Sequence, residues 1–368
     1  MTPMFLPKPQ LQHLITILTQ QKYQVLGPQV RDQTIVYEPL ESVEQLPRGI
    51  RDIQSPGKYV LTETQNNLWF GWANGPQAIK PLCFSPQEIL WESSTTTHTL
   101  DFQATLPETG LTAILGVRAC DIAALKLQDQ HFLHGEYIDP YYKARRQSLL
   151  VIGVDCSHPA DTCFCNATGD GPCVSDGADI VLTELNNGFL IHADTPSGKA
   201  VTNQLTLIAP SKLQLVEAEK QNKEAAERQT RGLPNANIQK SLNAIQSHQH
   251  WEDIGKRCLA CGNCTAVCPS CFCHSEHDES DIEGNSATHV RQWDSCFNQQ
   301  HSYIHGIIIR GDTSMRYRQW LTHKFAHWVT QYGRSGCTGC GRCITWCPVG
   351  IDVTLELATL CNEACIDE

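Results

Sequence analysis

The chain has 368 residues, a net charge of −11 and 19 cysteines, length enough for two domains with cores of their own. Its charges are scattered rather than run together, which argues against nucleic acid as the main partner, because phosphate binding needs a basic face. No apolar run approaches the roughly 18 residues of a membrane span, and Met1-Thr-Pro-Met-Phe-Leu-Pro-Lys8 lacks the basic region, apolar run and small-residue cleavage site of a signal peptide. The expectation is a soluble cytoplasmic protein.

In chain order, residues 11–21 read as a short helix, followed by strand-like segments at Thr34–Leu40, Tyr59–Thr62, Leu68–Trp72 and Leu100–Thr105. Ala113-Ile-Leu-Gly-Val-Arg-Ala-Cys120 and Leu149-Leu-Val-Ile-Gly-Val-Asp-Cys156 are short apolar runs that each end in a cysteine. Such runs suit strands buried on both faces, as in a parallel sheet. The segment from Asp121 to Gln130 reads as a helix and Asp139-Pro-Tyr-Tyr142 as turn-rich, so the region is a βαβ unit. That unit places Cys120 and Cys156 at the carboxyl ends of neighbouring strands, where open α/β sheets hold ligands. Residues 179–194 read as a hairpin turning at Asn186-Asn-Gly188. Residues 211–230 are a charged helix broken by Gly232-Leu-Pro234, and a second helix runs from about 236 to 249. The fold expected is therefore α+β or α/β: an N-terminal mixed α/β domain over 1–210, a helical connector over 211–250, and a cysteine-rich domain over 251–368.

Disulfides are rare in reducing cytoplasm, so cysteine density there points to metal. Of the 19 cysteines, 11 lie between Cys258 and Cys347. Cys258-Leu-Ala-Cys261-Gly-Asn-Cys264-Thr-Ala-Val-Cys268-Pro269 has the spacing C-x2-C-x2-C-x3-C-P. Cys337-Thr-Gly-Cys340-Gly-Arg-Cys343-Ile-Thr-Trp-Cys347-Pro348 repeats it. In two-cluster ferredoxins the first three cysteines of each copy serve one cubane and the fourth crosses to the other. Cys258, Cys261, Cys264 and Cys347 are thus expected to hold one [4Fe–4S] cluster, and Cys337, Cys340, Cys343 and Cys268 the second. The fourth cysteine of each copy is expected at the start of a helix. Gly262, Gly339 and Gly341 leave backbone amides able to approach cluster sulfurs. Structural zinc on the C-x2-C pairs is the competing reading; two complete four-cysteine copies, each followed by proline, favour iron–sulfur.

The insert over 269–336 is long for a ferredoxin and reads as mainly helical. It carries Cys271-Phe-Cys273, Trp293-Asp-Ser-Cys296 and a basic helix-like stretch from Met315 to Lys324. The three cysteines read equally well as further ligands and as buried thiols packed beside the clusters. Arg316, Arg318, His323 and Lys324 could offset cluster charge, although a solvated helix face is the plainer reading.

These motifs, together with Trp-Asp-Ser-Cys, Arg-Tyr-Arg…His-Lys, Gly116-Val-Arg-Ala-Cys-Asp121, Asp139-Pro-Tyr-Tyr…Arg145-Arg146 and Cys163-Phe-Cys165…Gly169-Asp-Gly-Pro172, resemble one dicluster family. It comprises the β (iron–sulfur) subunits of cytoplasmic NAD(P)-linked [NiFe] hydrogenases, or sulfhydrogenases, and the A subunit of anaerobic sulfite reductase. The resemblance covers about residues 25 to 355. The chain departs from it at Asn166-Ala-Thr-Gly-Asp-Gly-Pro172, where the family reads closer to Ser-Met-Gly-Thr-Gly-Pro, and Cys173 is an extra. The resemblance implies a third [4Fe–4S] cluster in the N-terminal domain, on the matching positions Cys120, Cys156, Cys163 and Cys165. The strand-end placement of Cys120 and Cys156, with Cys163 and Cys165 on the following loop, agrees with it. Cys83, Cys361 and Cys365 read as plain cysteines, and His131, His134 and His158 as structural histidines near that site.

No G-x-G-x-x-G follows a strand and no G-x-x-x-x-G-K-[ST] occurs, so no nucleotide or flavin site announces itself. Arg118 and Asp121 flank Cys120 without forming a nucleophile–base arrangement. The expected function is an electron-transfer subunit, not catalytic by itself, between a flavin/NAD(P)-binding subunit and the small and large subunits of a [NiFe] hydrogenase. The alternatives are the electron-input subunit of a sulfite or sulfur reductase and, from another class, an iron–sulfur redox sensor.

Overall fold

The computed structural model describes residues 3–77, 79–95 and 99–364; Cys365 lies outside them. Seven strands form a mixed sheet in the order Met4–Pro7, Gly188–Ala193, Ile180–Leu185, Leu149–Val154, Thr112–Val117, Gln24–Arg31 and Thr34–Pro39. Four adjacent strands run parallel; Thr34–Pro39 closes one edge as an antiparallel hairpin partner, and on the other side the antiparallel Gly188–Ala193 is followed by Met4–Pro7 at the edge. The two apolar runs are parallel neighbours, with Thr112 opposite Leu149. Alternate residues feed separate cores. Leu115, Leu150, Ile152 and Leu182 pack on one face, and Ile114, Val117, Val151 and Val181 on the other. Burial on both faces explains why these strands are continuously apolar.

Leu11–Gln20 is the first helix, and the hairpin at Asn186-Asn-Gly188 forms as expected. Four details differ from the sequence reading. Residues 68–72 form no strand, because the backbone N–H groups of Trp69 and Phe70 donate to the Glu184 carboxylate, both at 2.8 Å, rather than to a ladder. The turn-rich Asp139-Pro-Tyr-Tyr instead starts the helix Pro140–Gln147, with Asp139 accepting from the Tyr142 N–H at 2.8 Å and proline at the first helical position. The second connector helix is only Ile238–Ala244, and a separate helix, His250–Arg257, leads into the first cysteine motif.

The largest difference lies in the insert. Its first half is a hairpin, His274–Ser280 with Ser286–Trp293, that pairs with Gln87–Thr95 and Leu100–Ala104 in a four-stranded antiparallel sheet. Only the second half is helical, from Thr313–Thr322 through His323–His327 to Trp328–Tyr332. Its basic residues are not a solvated face. Arg316 and Lys324 are buried, and Arg316 donates to Arg310 O, Gly311 O and Thr313 Oγ1. No helix among the described residues is long and apolar enough to cross a membrane.

The second cysteine motif is fastened to the sheet by buried polar contacts. Arg342 donates to both oxygens of Asp121, at 2.5 and 2.8 Å, with the side chains 1 % and 0 % exposed. Arg342 Nε also donates to Gly75 O at 2.8 Å. Arg118, just ahead of Cys120, stacks on Trp72 and donates to the carbonyls of Phe70, Trp72, Ala73 and Asp155, holding the irregular 68–75 segment against the sheet. Removing one partner of a buried ion pair leaves the other charge unpaired in a low dielectric. Asp121→Asn is expected to lower unfolding free energy by on the order of 3–5 kcal/mol, read as a shift of the denaturant midpoint; a change below about 1 kcal/mol would show that water reaches Arg342.

Candidate metal centre

The first motif leaves the helix His250–Arg257 at Cys258, turns at Gly262 with φ +76°, and places Cys264 in the short helix Asn263–Ala266. The second copies it: Gly339 and Gly341 take φ of +64° and +75°, and Cys343 lies in the helix Arg342–Thr345. Left-handed φ suits glycine because it has no Cβ to clash. At Gly339 and Gly341 a second constraint applies. A Cβ would come within 2.5 Å of Phe164 C and of Thr162 O, so these glycines also admit the 162–165 loop. Cys268 and Cys347 follow a short helical turn rather than opening a helix, which corrects that expectation.

The structure brings the predicted ligands together across the two motifs. Cys258, Cys261, Cys264 and Cys347, with Cys343 at the edge, line one cavity, walled by Phe297, Tyr317, Trp320 and Ile351. Cys268, Cys337, Cys340 and Cys343 line a second cavity, walled by Phe164, Trp320, Phe325 and Val353. Backbone N–H groups already point at sulfur: Ala260 at Cys258 (3.4 Å), Gly339 at Cys337 (3.4 Å) and Ile351 at Cys347 (3.3 Å). Thiol-rimmed, mainly apolar cavities with amides aimed at sulfur fit two cubanes.

Burial pushes the Cys337 thiol up to about 12. Cys268 moves the other way: a hydrogen bond from Cys271 pulls it well below the usual thiol range despite burial, and Lys324 adds to this. The Lys324 ammonium donates to Cys268 Sγ at 3.4 Å, Ser270 Oγ at 3.0 Å and Gly336 O at 3.0 Å. Burial opposes its charge, but Cys268, Cys271 and Cys337 outweigh that and hold it well above the ordinary lysine range. A second buried lysine, Lys80, donates to Thr265 O (3.4 Å) and Ala266 O (3.2 Å) and lies over the Trp293 ring at 3.8 Å. Sequence reasoning missed it, since nothing local in Ile79-Lys-Pro-Leu82 marks a lysine that meets a loop 185 residues away.

The N-terminal group also assembles. Cys120, Cys156, Cys163 and Cys165 are all buried. Cys120 is not at a strand end but in the first turn of the helix Ala119–Leu133, beside the strand that leads to it. Cys120 and Cys165 pack with Cys340 of the second motif, and Cys163 Sγ lies 3.8 Å from Cys340 O. Burial foremost, then the nearby Cys165 and Cys156, push Cys163 well above the usual thiol range. Burial also raises Cys173, to about 12, with Asp155 and Cys156 nearby. Cys83 and Cys361 are buried. His131 stacks on Phe272 and bonds Tyr332 Oη at 2.7 Å, a packing role, whereas His158 lines a polar cleft beside Cys156.

Residues 257–351 match the family described as a 4Fe-4S dicluster domain, a match that embraces both cysteine motifs and the insert between them. The resemblance to hydrogenase β iron–sulfur subunits extends well beyond that module. Over 251 residues the chain is 29 % identical to the sulfhydrogenase 2 subunit beta of Pyrococcus furiosus, an alignment spanning 66 % of this chain and 72 % of that relative. No solved structure matches the chain.

Lys324 gives a direct test of the site's electrostatics. Two unit charges roughly 6 Å apart at an effective dielectric of about 20 interact by about 3 kcal/mol. Lys324→Met should therefore lower the midpoint potential of a cluster held by Cys268 by on the order of 100 mV, at about 59 mV per tenfold for one electron, while Lys324→Arg largely retains it. Redox titration followed by EPR reads the shift, and an unchanged potential would place the ammonium too far away to matter.

Proposed function

We propose that the chain is the electron-transfer subunit of a multisubunit oxidoreductase, relaying electrons between a flavin/NAD(P)-binding subunit and the catalytic core of a [NiFe] hydrogenase. The observation that carries this reading is the run of three thiol groups in contact. The two ferredoxin-type cavities share Trp320 and Cys343 as common wall, and the N-terminal group packs on Cys340 of the second. The name of the Pyrococcus relative supports partner subunits of the sulfhydrogenase kind.

In this reading Cys258, Cys261, Cys264 and Cys347 hold one cluster, Cys337, Cys340, Cys343 and Cys268 a second, and Cys120, Cys156, Cys163 and Cys165 a third. The N-terminal α/β domain spans 1–210, the connector 211–250 and the dicluster domain 251–368. A bound [4Fe–4S] cluster supplies a one-electron carrier. The chain's own residues do the rest. Phe164, Trp320 and Phe325 keep water from the second cavity, and Arg342, held by Asp121, fixes the backbone between Cys340 and Cys343. Cys261 is exposed, whereas Cys337 and Cys340 are buried. The first site is thus the accessible end, from which a redox partner exchanges electrons with the interior.

Two outcomes follow. Cys163→Ser/Cys165→Ser should lose about four iron and four sulfide per chain while both ferredoxin-type EPR signals survive; unchanged iron would remove the third cluster from the scheme. The reconstituted chain alone should take electrons from dithionite and reduce an artificial dye, yet neither oxidise NADH or NADPH nor consume hydrogen. Those activities should return on adding flavin and hydrogenase subunits. Addition of a sirohaem subunit restoring sulfite reduction instead would favour the sulfite-reductase reading, and steady NAD(P)H oxidation by the chain alone would overturn the relay.

A further inference from the structure

Cys271, Cys273 and Cys296 belong to none of the three groups above, yet the fold collects them. With His301, His323 and Lys324 they line a cavity beside the second ferredoxin-type site. Phe272 is clamped by His131, stacked at 3.9 Å, and by Trp328 at 5.6 Å, which anchors the Cys-Phe-Cys segment. The backbone N–H of Asp294 donates to Cys273 O at 3.0 Å, bringing the Trp293–Cys296 loop against that segment. Cys273 and Cys296 consequently line the same cavity.

His301 completes the set in a way that packing alone does not explain. Its Nδ1 is held by Asp294 Oδ2 at 3.0 Å, which leaves Nε2 as the ring nitrogen for the cavity. Metal-ligating histidines characteristically have their other ring nitrogen fixed by a carboxylate in this way. The same Asp294 therefore orients the histidine through its side chain and the Cys273 segment through its backbone.

We propose that Cys271, Cys273, Cys296 and His301 hold a further iron–sulfur cluster, ligated by three thiolates and one imidazole. These donors, like those of the two ferredoxin-type sites, ring a cavity rich in cysteine and aromatic side chains. Trp320 lines this cavity and both ferredoxin-type cavities, so the group adjoins the relay laterally. Lys324 reaches into the same cavity and supplies positive charge for an anionic cluster. The inference stands apart from the identity of the electron partners.

The test uses the full chain purified anaerobically. Relative to wild type, Cys273→Ser/Cys296→Ser should lose about four iron and four sulfide per chain, with both ferredoxin-type EPR signals kept as the control for folding. His301→Cys covers the case in which the double variant fails to fold. It should keep the iron while lowering the potential of one cluster, because a thiolate replaces a neutral imidazole and histidine ligation raises potential. Iron unchanged in the double variant, about one zinc per wild-type chain that the double variant loses, a Cys273–Cys296 disulfide in the native protein, or potentials all unmoved in His301→Cys would each overturn the proposal.

Discussion

Arg342 and Asp121 are both fully buried, and neither charge is tolerable there alone. The pair joins the second cysteine motif to the helix after a central strand of the sheet, across 221 residues of chain. Burying two charges costs several kcal/mol for each unless the pairing is close and the remaining donors are satisfied. Here they are, since the guanidinium also reaches the carbonyls of Gly75 and Gln77. The ferredoxin-like module consequently has one way to sit on the α/β domain. A displacement of even a few ångströms would strand a guanidinium and a carboxylate in an apolar interior.

That seating fixes everything near it. With Arg342 docked, Gly339 and Gly341 lie against Phe164 and Thr162, where any side chain would collide with backbone. The Phe164 N–H donates to Gly339 O at 2.8 Å and the Asn74 amide to Cys340 O at 3.0 Å. Arg334 clasps Asp170 on the same loop. The loop bearing Cys163 and Cys165 is thereby built as much by the dicluster module as by the sheet beneath it. The N-terminal thiols thus pack against the second ferredoxin-type site.

The legible parts of this molecule are those whose signal is local. The C-x2-C-x2-C-x3-C-P spacing located eight thiols that the fold gathers into two cavities, and the continuous apolar runs located two parallel central strands, because burial on both faces leaves no polar alternation. The Asn-Asn-Gly turn located the edge hairpin in the same way. What failed was decided by distant partners. Residues 68–72 look like a strand, but Trp69 and Phe70 give their N–H groups to Glu184, more than a hundred positions away. His274–Ser280 is polar and exposed, and becomes a strand by pairing with Ser286–Trp293, which is itself paired with the distant Gln87–Thr95. Arg316 and Lys324 carry no mark that distinguishes a buried cation from a surface one.

Those buried cations bear on the chain's overall charge. At −11 the protein is acidic, and thiolate-ligated clusters add negative charge in its interior, where a low dielectric magnifies repulsion. The fold answers locally. Lys80 and Lys324 bracket the segment from Cys268 to Cys273, Arg342 lies between two cysteines of the second motif, and Arg118 precedes Cys120. Burial pushes Lys80 down from its ordinary range, while the neighbouring Cys271 and Cys268 push back. Both lysines thus set positive charge beside the cysteines of that segment, which lowers the cost of holding negatively charged sulfur there.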